Sequence, residues 1–397
     1  MVVSRVTHQL MASNFINDIQ RNLKSLNELQ RQISTGKKIR YPSDDPIGAD
    51  RSLDYRQTVA QTEQFSRNVD DLNSTGANVD GVLDTITALL MRARDLAMRG
   101  SNEAPQNQLN RDVIANEINH LLEELVYQAN QKFDGKYLLS GYKTDTTPFT
   151  ISNTMRFTVG AAGAVITMPS YRTDGGTRTT EAIADANTVT DVRVNGASIP
   201  GYTIDPTTNS ITLPAPANAG DVIEVVFNKY VRVEYQGDTG TREVEISEGA
   251  KLGVTFPGAS ADGSVGAVFG EMSSEPTDFP GVEAFQYLMD LRDSLYKYDD
   301  TAGASMDGIQ RGVSDIDEIL KRINETRTDL GGRMNRLELA KNRLENIRIN
   351  TKELLSKKED VDMAEAITDL ALQQNIYQAA LGAGARILQV SLLDFLR

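Results

Sequence analysis

Two stretches at opposite ends of this 397-residue chain keep a seven-residue apolar rhythm, and that constrains the fold more than any other feature. The longer one runs Phe65, Val69, Leu72, Gly76, Val79, Leu83, Ile86, Leu90, Ala93 and Ala97 in alternating steps of four and three. Such spacing lays one narrow apolar seam along an α-helix and requires a partner helix beside it. Pro46 suits the first turn of that helix, and Ser43, Asp44 and Asp45 supply capping chemistry before it. At 1.5 Å per residue a helix from Pro46 to Arg99 would be roughly 80 Å long. The rhythm returns as Val313, Ile316, Leu320, Ile323, Leu330, Met334 and Leu337, with Gly331-Gly332 weakening helix propensity and making a local kink an option. A third helix is expected to carry Ile114, Ile118, Leu121 and Leu125.

The termini follow the same logic. Ala12, Ile16, Ile19, Leu23, Leu26 and Ile33, with Gln30 in the remaining slot, predict a seam on an N-terminal helix. The last segment is apolar on two faces. One stripe holds Met363, Ile367, Leu370, Gln374, Tyr377, Leu381, Gly384, Leu388 and Phe395, and the other Ile376, Ala380, Ala383, Ile387 and Val390. A helix apolar on two faces must bury both, and one partner helix covers only one. Contacts with other subunits are therefore expected, the alternative being a helix sandwiched within one bundle. The candidate assembly residues are Ile16, Ile19, Leu23, Leu26, Ile33, Ile367, Leu370, Tyr377, Leu381, Leu388 and Phe395.

The middle differs in composition. Residues 143–300 carry 11 basic and 22 acidic side chains, 16 of the 30 glycines and 9 of the 12 prolines, so acidity and turn chemistry concentrate in one inserted block. Short β-branched runs at 189–194, 199–204, 210–213, 221–228, 230–235 and 242–247 are separated by Gly, Asp, Asn and Pro, and Asn195-Gly196 is a hairpin-turn signal. The expected fold is α+β and multidomain: an elongated bundle of long N- and C-terminal coiled-coil-like helices with a β-rich, sandwich-like central region. The expected parts are an N-terminal assembly helix (1–45), two halves of a helical rod (46–142 and 301–359), a β-rich outer domain (143–300) with a possible extra module at 186–228, and a C-terminal assembly helix (360–397).

Composition excludes several functions. A net charge of −14 argues against binding a nucleic-acid backbone. With no cysteine and only His8 and His120, disulfides and thiolate chemistry are impossible and a His-rich metal centre is not expected. No apolar run approaches the ~18 residues of a membrane span. Met1–Arg5 has no apolar core or cleavage site of an ordinary signal peptide. Gly36-Lys37-Lys38 lacks the other residues of a phosphate loop, and Gly382-Ala383-Gly384 reads as close helix packing rather than a dinucleotide fingerprint. Asp315, Asp317 and Glu318 read as a solvated helix face, and Asp44-Asp45 as capping residues. Tyr137, Tyr142 and Phe149 are read as packing at a helix-to-strand junction, ahead of a carbohydrate platform. No enzyme, cofactor or metal site is expected.

Three passages carry a resemblance. Arg31–Ile39 (RQISTGKKI) with Pro42–Gly48 (PSDDPIG), Leu330–Glu338 (LGGRMNRLE) and Asp360–Ala366 (DVDMAEA) are similar to the terminal signatures of the flagellin superfamily, in the same order and on both flanks. Within it, Lys136–Phe149 (KYLLSGYKTDTTPF), Tyr235–Asp238 with Arg242–Val244, and Ile387–Leu396 resemble the branch that joins hook to filament more than filament flagellin. The β module at 186–228 departs from that pattern as an addition. The resemblance implies an extracellular structural protein of the bacterial flagellum at the hook–filament junction, exported through the flagellar channel without a cleavable signal. Implied partners are neighbouring copies of itself, hook-associated protein 1, flagellin and a cytoplasmic export chaperone. The alternatives are a filament flagellin, or an adhesin or glycan-binding role for the β insertion.

Overall fold

A computed structural model describes residues 2–102, 108–159, 162–167, 189–205, 210–260, 267–272, 282–296 and 304–395. Helix α1 (Val2–Thr35) opens the chain, followed by α2 (Pro46–Asn102) and α3 (Gln108–Ala129). Thirteen strands follow among the described residues. They are β1 (Lys132–Phe133), β2 (Lys136–Tyr137), β3 (Phe149–Ser152), β4 (Thr154–Thr158), β5 (Gly163–Thr167), β6 (Val189–Val194), β7 (Ala197–Ser198), β8 (Thr203–Asp205), β9 (Ser210–Ala217), β10 (Val222–Phe227), β11 (Arg232–Tyr235), β12 (Val244–Ser247) and β13 (Ala250–Leu252). Helices α4 (Glu283–Tyr296), α5 (Ala304–Glu359) and α6 (Met363–Phe395) close it. Long helices at both ends thus flank a central region of small antiparallel sheets, the expected fold class. The chain divides into two compact units, residues 1–66 with 342–397, and residues 67–341.

In the second unit the rhythm of α2 is realised. Val69, Leu72, Val79, Leu83, Ile86, Leu90, Ala93 and Ala97 are buried, facing a seam on α5 that holds Ile316, Ile323, Leu330 and Leu337. Thr326 fills the slot left between Ile323 and Leu330 and returns its hydroxyl to the Arg322 carbonyl at 3.0 Å. A Cβ on Gly76 would lie 3.4–3.5 Å from the side chains of Met334 and Leu330, ordinary van der Waals contact, so α2 packs on α5 at this point. The ion pairs Lys341–Asp70, Arg327–Asp80 and Arg94–Asp317 fix the antiparallel order. Gly331 and Gly332 lie inside α5 without ending it, because the seam on either side holds the helix.

Helix α3 packs on α4, and an aromatic cluster of Phe149, Tyr235, Phe269 and Phe285 links them to the sheets. The β module is built from β4-β10-β6-β7 and β5-β9-β8. They enclose Met155, Val192, Ile211, Leu213, Ile223, Val225 and Phe227. Asn195 (φ 50°) and Gly196 (φ 83°) make the expected β6–β7 turn. Strands β4 and β5, outside 186–228, pair with β10 and β9, so the folded module also takes in these two strands.

Candidate assembly interface

Helices α1 and α6 pack antiparallel in the first unit. Asn22 accepts a hydrogen bond from Gln373 at 3.3 Å, and Phe15 lies against Gly384. A Cβ on Gly384 would fall 2.0 Å from the Phe15 ring, so this glycine allows the close approach expected of it. The half-buried seam of α1 is Phe15, Ile19, Asn22, Leu26, Leu29 and Ile33. That of α6 is Leu370, Gln373, Tyr377 and Ala380, with Ala366 and Gly384 buried beside them.

The seam takes in some of the candidate assembly residues and leaves others outside it. Ile19, Leu26, Ile33, Leu370 and Tyr377 line it. Ile16 (54% exposed), Leu23 (42%), Ile367 (54%) and Leu381 (45%) do not. The physical reason is that both helices carry apolar residues at two adjacent heptad positions, and spacing alone does not say which pair turns inward. Phe15, Asn22 and Leu29 take the slots assigned to Ile16, Leu23 and Gln30. The side chains of Ala12, Leu388 and Phe395 lie outside the described residues, although the α6 backbone reaches Phe395.

The four exposed residues share a side. At 3.6 residues per turn, Ile16 and Leu23 sit about a quarter-turn round from the α1 seam, and Ile367 and Leu381 are displaced in the same sense on α6. In an antiparallel pair, equal displacement brings both sets to one face. Two further exposed apolar residues, Leu372 and Ile376, lie about a quarter-turn the other way round α6. The two-helix pair thus covers one stripe of each helix and leaves leucine and isoleucine side chains outside.

The pair is anchored where the α1–α2 turn meets the end of α5. Glu359 is buried, and its carboxylate accepts from Arg56 Nε at 3.2 Å and from Arg56 Nη2, with Lys37 Nζ 3.2 Å away. Lys37 also reaches Asp360 at 2.8 Å. Backbone bonds from Lys38 N to Glu359 O (2.6 Å) and from Val361 N to Gly36 O (3.0 Å) zip the two segments together. Burial alone would raise the Glu359 pKa, but the hydrogen bonds from Arg56 and Lys37 outweigh it and hold the carboxyl below its usual range. The capping expectation splits between neighbours. Asp45 accepts from Gly48 N (3.0 Å) as the cap of α2, whereas Asp44 accepts from Arg40 N and Tyr41 N inside the turn. Asp362 caps α6 through Ala364 N at 2.9 Å.

Two of the quoted passages, 136–149 and 235–238, meet in the second unit. The Tyr235 hydroxyl donates toward the carbonyls of Leu139 (3.1 Å) and Asp238 (2.9 Å), and Gly258 N donates to it (3.1 Å). Asp238 Oδ1 accepts from Tyr142 N at 2.7 Å and Gly240 N at 2.9 Å. Asn130 pairs both ways with the Phe149 backbone at 2.8 and 2.9 Å. Tyr137, Tyr142 and Phe149 form no platform: Phe149 is buried in the aromatic cluster, and Tyr137 is bound to Thr147. Asp317 and Glu318 pair with Arg94 and Arg322, and the His120 side chain is exposed. The Asp134-Gly135 turn between β1 and β2, not anticipated from the sequence, has the φ values (50° and 74°) of a two-residue hairpin.

Comparison with known proteins fits this geometry. The bacterial flagellin N-terminal helical region matches residues 6–144, and the bacterial flagellin C-terminal helical region matches residues 313–396, together more than half of the chain. The chain belongs to the flagellin family. Polar flagellin F of Vibrio parahaemolyticus is 26% identical over 375 residues, covering 91% of each chain. Among solved structures, Bacillus cereus FlgL has a TM-score of 0.44 at 15% identity, covering 76% of this chain and 99% of its own. Flagellar hook associated protein-3 of Legionella pneumophila has a TM-score of 0.40 at 14% identity, covering 76% and 97%. Membership of the flagellin family makes the protein a structural component of the flagellum. Among the described residues no helix is long and apolar enough to cross a membrane.

Proposed function

We propose that this flagellin-family chain is an adaptor at the hook–filament junction. It polymerises on the hook-associated protein 1 zone and offers flagellin a surface on which to assemble. The observation that carries an assembly role is the exposed apolar strip of Ile16, Leu23, Ile367 and Leu381 beside a seam that is already filled. Solvent-exposed leucine and isoleucine rows on a slender helix pair are stabilised when other copies cover them. Removing them from water contributes about 25 cal/mol per Å² toward the entropy of ordering the helices.

The choice of the junction over the filament is supported by the 136–149 passage and its lock through Tyr235 and Asp238, together with the 387–396 end. In this reading a cytoplasmic chaperone holds the C-terminal helix before export, and the protein is extracellular once assembled. A filament flagellin is the second reading, favoured by the names of its sequence relatives.

Leu381→Asp and Leu23→Asp place a charge on the strip without touching the seam. Both should abolish assembly of purified protein while leaving helical content unchanged. Normal assembly of both variants would remove the strip from the interface.

A further inference from the structure

The turn between α1 and α2 presents a preorganised basic and aromatic surface. Asp44 Oδ2 holds it from within, accepting from Arg40 N at 3.1 Å and Tyr41 N at 3.0 Å, and Ile39 anchors it as a buried side chain. The Tyr41 ring, about half exposed, lies beneath two guanidinium groups, with Arg31 Cζ 5.6 Å and Arg40 Cζ 5.3 Å from its centroid. Tyrosine and arginine held rigidly at a surface are the side chains that most often anchor protein contacts, because little freedom is lost on binding. Arg31 is paired with Glu28 and Asp44. Lys38 and Arg40 are exposed, and neither is in an ion pair among the described residues.

The first turns of α2 present the opposite surface. Ile47, Asp50, Leu53 and Asp54 fall within about a third of a turn on one helical face. All four are exposed, and neither aspartate is in an ion pair among the described residues. Arg51 sits a further step round the helix. Two unpaired cations beside a ring and two unpaired anions beside leucine and isoleucine therefore lie on one chain, a dozen residues apart, without meeting. Complementary patches that do not close within a chain make a heterologous, head-to-tail contact between copies, the kind that propagates a polymer.

We propose that the Lys38–Arg40–Tyr41 turn of one copy docks on the Ile47–Asp50–Leu53–Asp54 face of a second copy of this chain. The contact rests on the assembly reading and adds to it a directional element that an apolar strip alone lacks. Charge selects the register, and the Tyr41 ring packs on Leu53.

The test uses the full-length chain, with assembly followed by sedimentation and electron microscopy, and helical content by circular dichroism. Lys38→Glu with Arg40→Glu should raise the concentration needed for assembly about tenfold or more, as should Asp50→Lys with Asp54→Lys, each with helical content unchanged. A chain carrying all four substitutions should assemble like the wild type. Arg40→Gln, which adds no charge to the Glu359 neighbourhood, should give a smaller loss in the same direction. Wild-type-like assembly of either double variant overturns the proposal. So does a four-fold variant no better than the doubles. If the wild type itself never pellets, the assembly reading falls and the contact falls with it. A wild type that pellets beside unaffected variants removes the contact alone.

Discussion

Replacing Glu359 by glutamine should loosen the first unit at its anchor. The substitution keeps the volume and one acceptor oxygen, so the loss is electrostatic. Hydrogen bonds to charged partners are worth about 1.5–3 kcal/mol each when intact. Here the loss is tempered, because Lys37 and Arg56 are 42% and 56% exposed and can be rehydrated, and Lys37 keeps Asp360. A net cost of about 2–3 kcal/mol follows, less than the 3–5 kcal/mol of breaking a fully buried pair. Native-state hydrogen exchange reads it directly, since protection in peptides spanning 36–45 and 355–365 reports local opening. At about 1.4 kcal/mol per decade, exchange there should accelerate roughly 30- to 140-fold, with α3 and α4 unchanged. The pH dependence has a defined sign. The folded pKa of Glu359 is depressed, so its contribution is fully present above the unfolded value of about 4.3 and is lost as pH falls through the folded value. Unchanged protection in Glu359→Gln at neutral pH would refute the anchor.

Gly384→Val should separate α1 from α6, because its Cβ meets the Phe15 ring at 2.0 Å; exchange across 13–33 would rise, and Phe15→Ala should restore part of the protection. Tyr235→Phe leaves two carbonyls and the Gly258 amide without their shared hydroxyl, and should lower stability by about 1–3 kcal/mol in denaturant titration. That hydroxyl is pushed up to about 12 chiefly by burial, so thermal stability should show no tyrosine titration at this site below pH 10. Leu213→Ala should cost about 2–5 kcal/mol in the β module, with a shifted module transition and an unaltered exchange pattern in α1 and α6.

The sequence made the α2 and α5 seams legible because one heptad face is apolar and its flanks are charged. Where two adjacent faces are apolar, as in α1 and α6, spacing identified the right helices and the wrong inward edge. Phe15 and Leu29 do not stand out there because each lies one residue away from an equally apolar rhythm. Asn195-Gly196 could be read as a turn because only a few residue types tolerate both φ values. The extent of the β module could not, since the pairing of β4 and β5 with β10 and β9 is set by contacts distant in sequence. The anchor at Glu359 was equally hidden, because Arg56 and Glu359 are brought together only by the antiparallel packing of two long helices.

Immunogold electron microscopy of intact flagella with antibody to the β module tests the central claim most directly. The adaptor reading predicts label confined to a short zone between hook and filament. Label along the whole filament would contradict it and make this chain a filament flagellin.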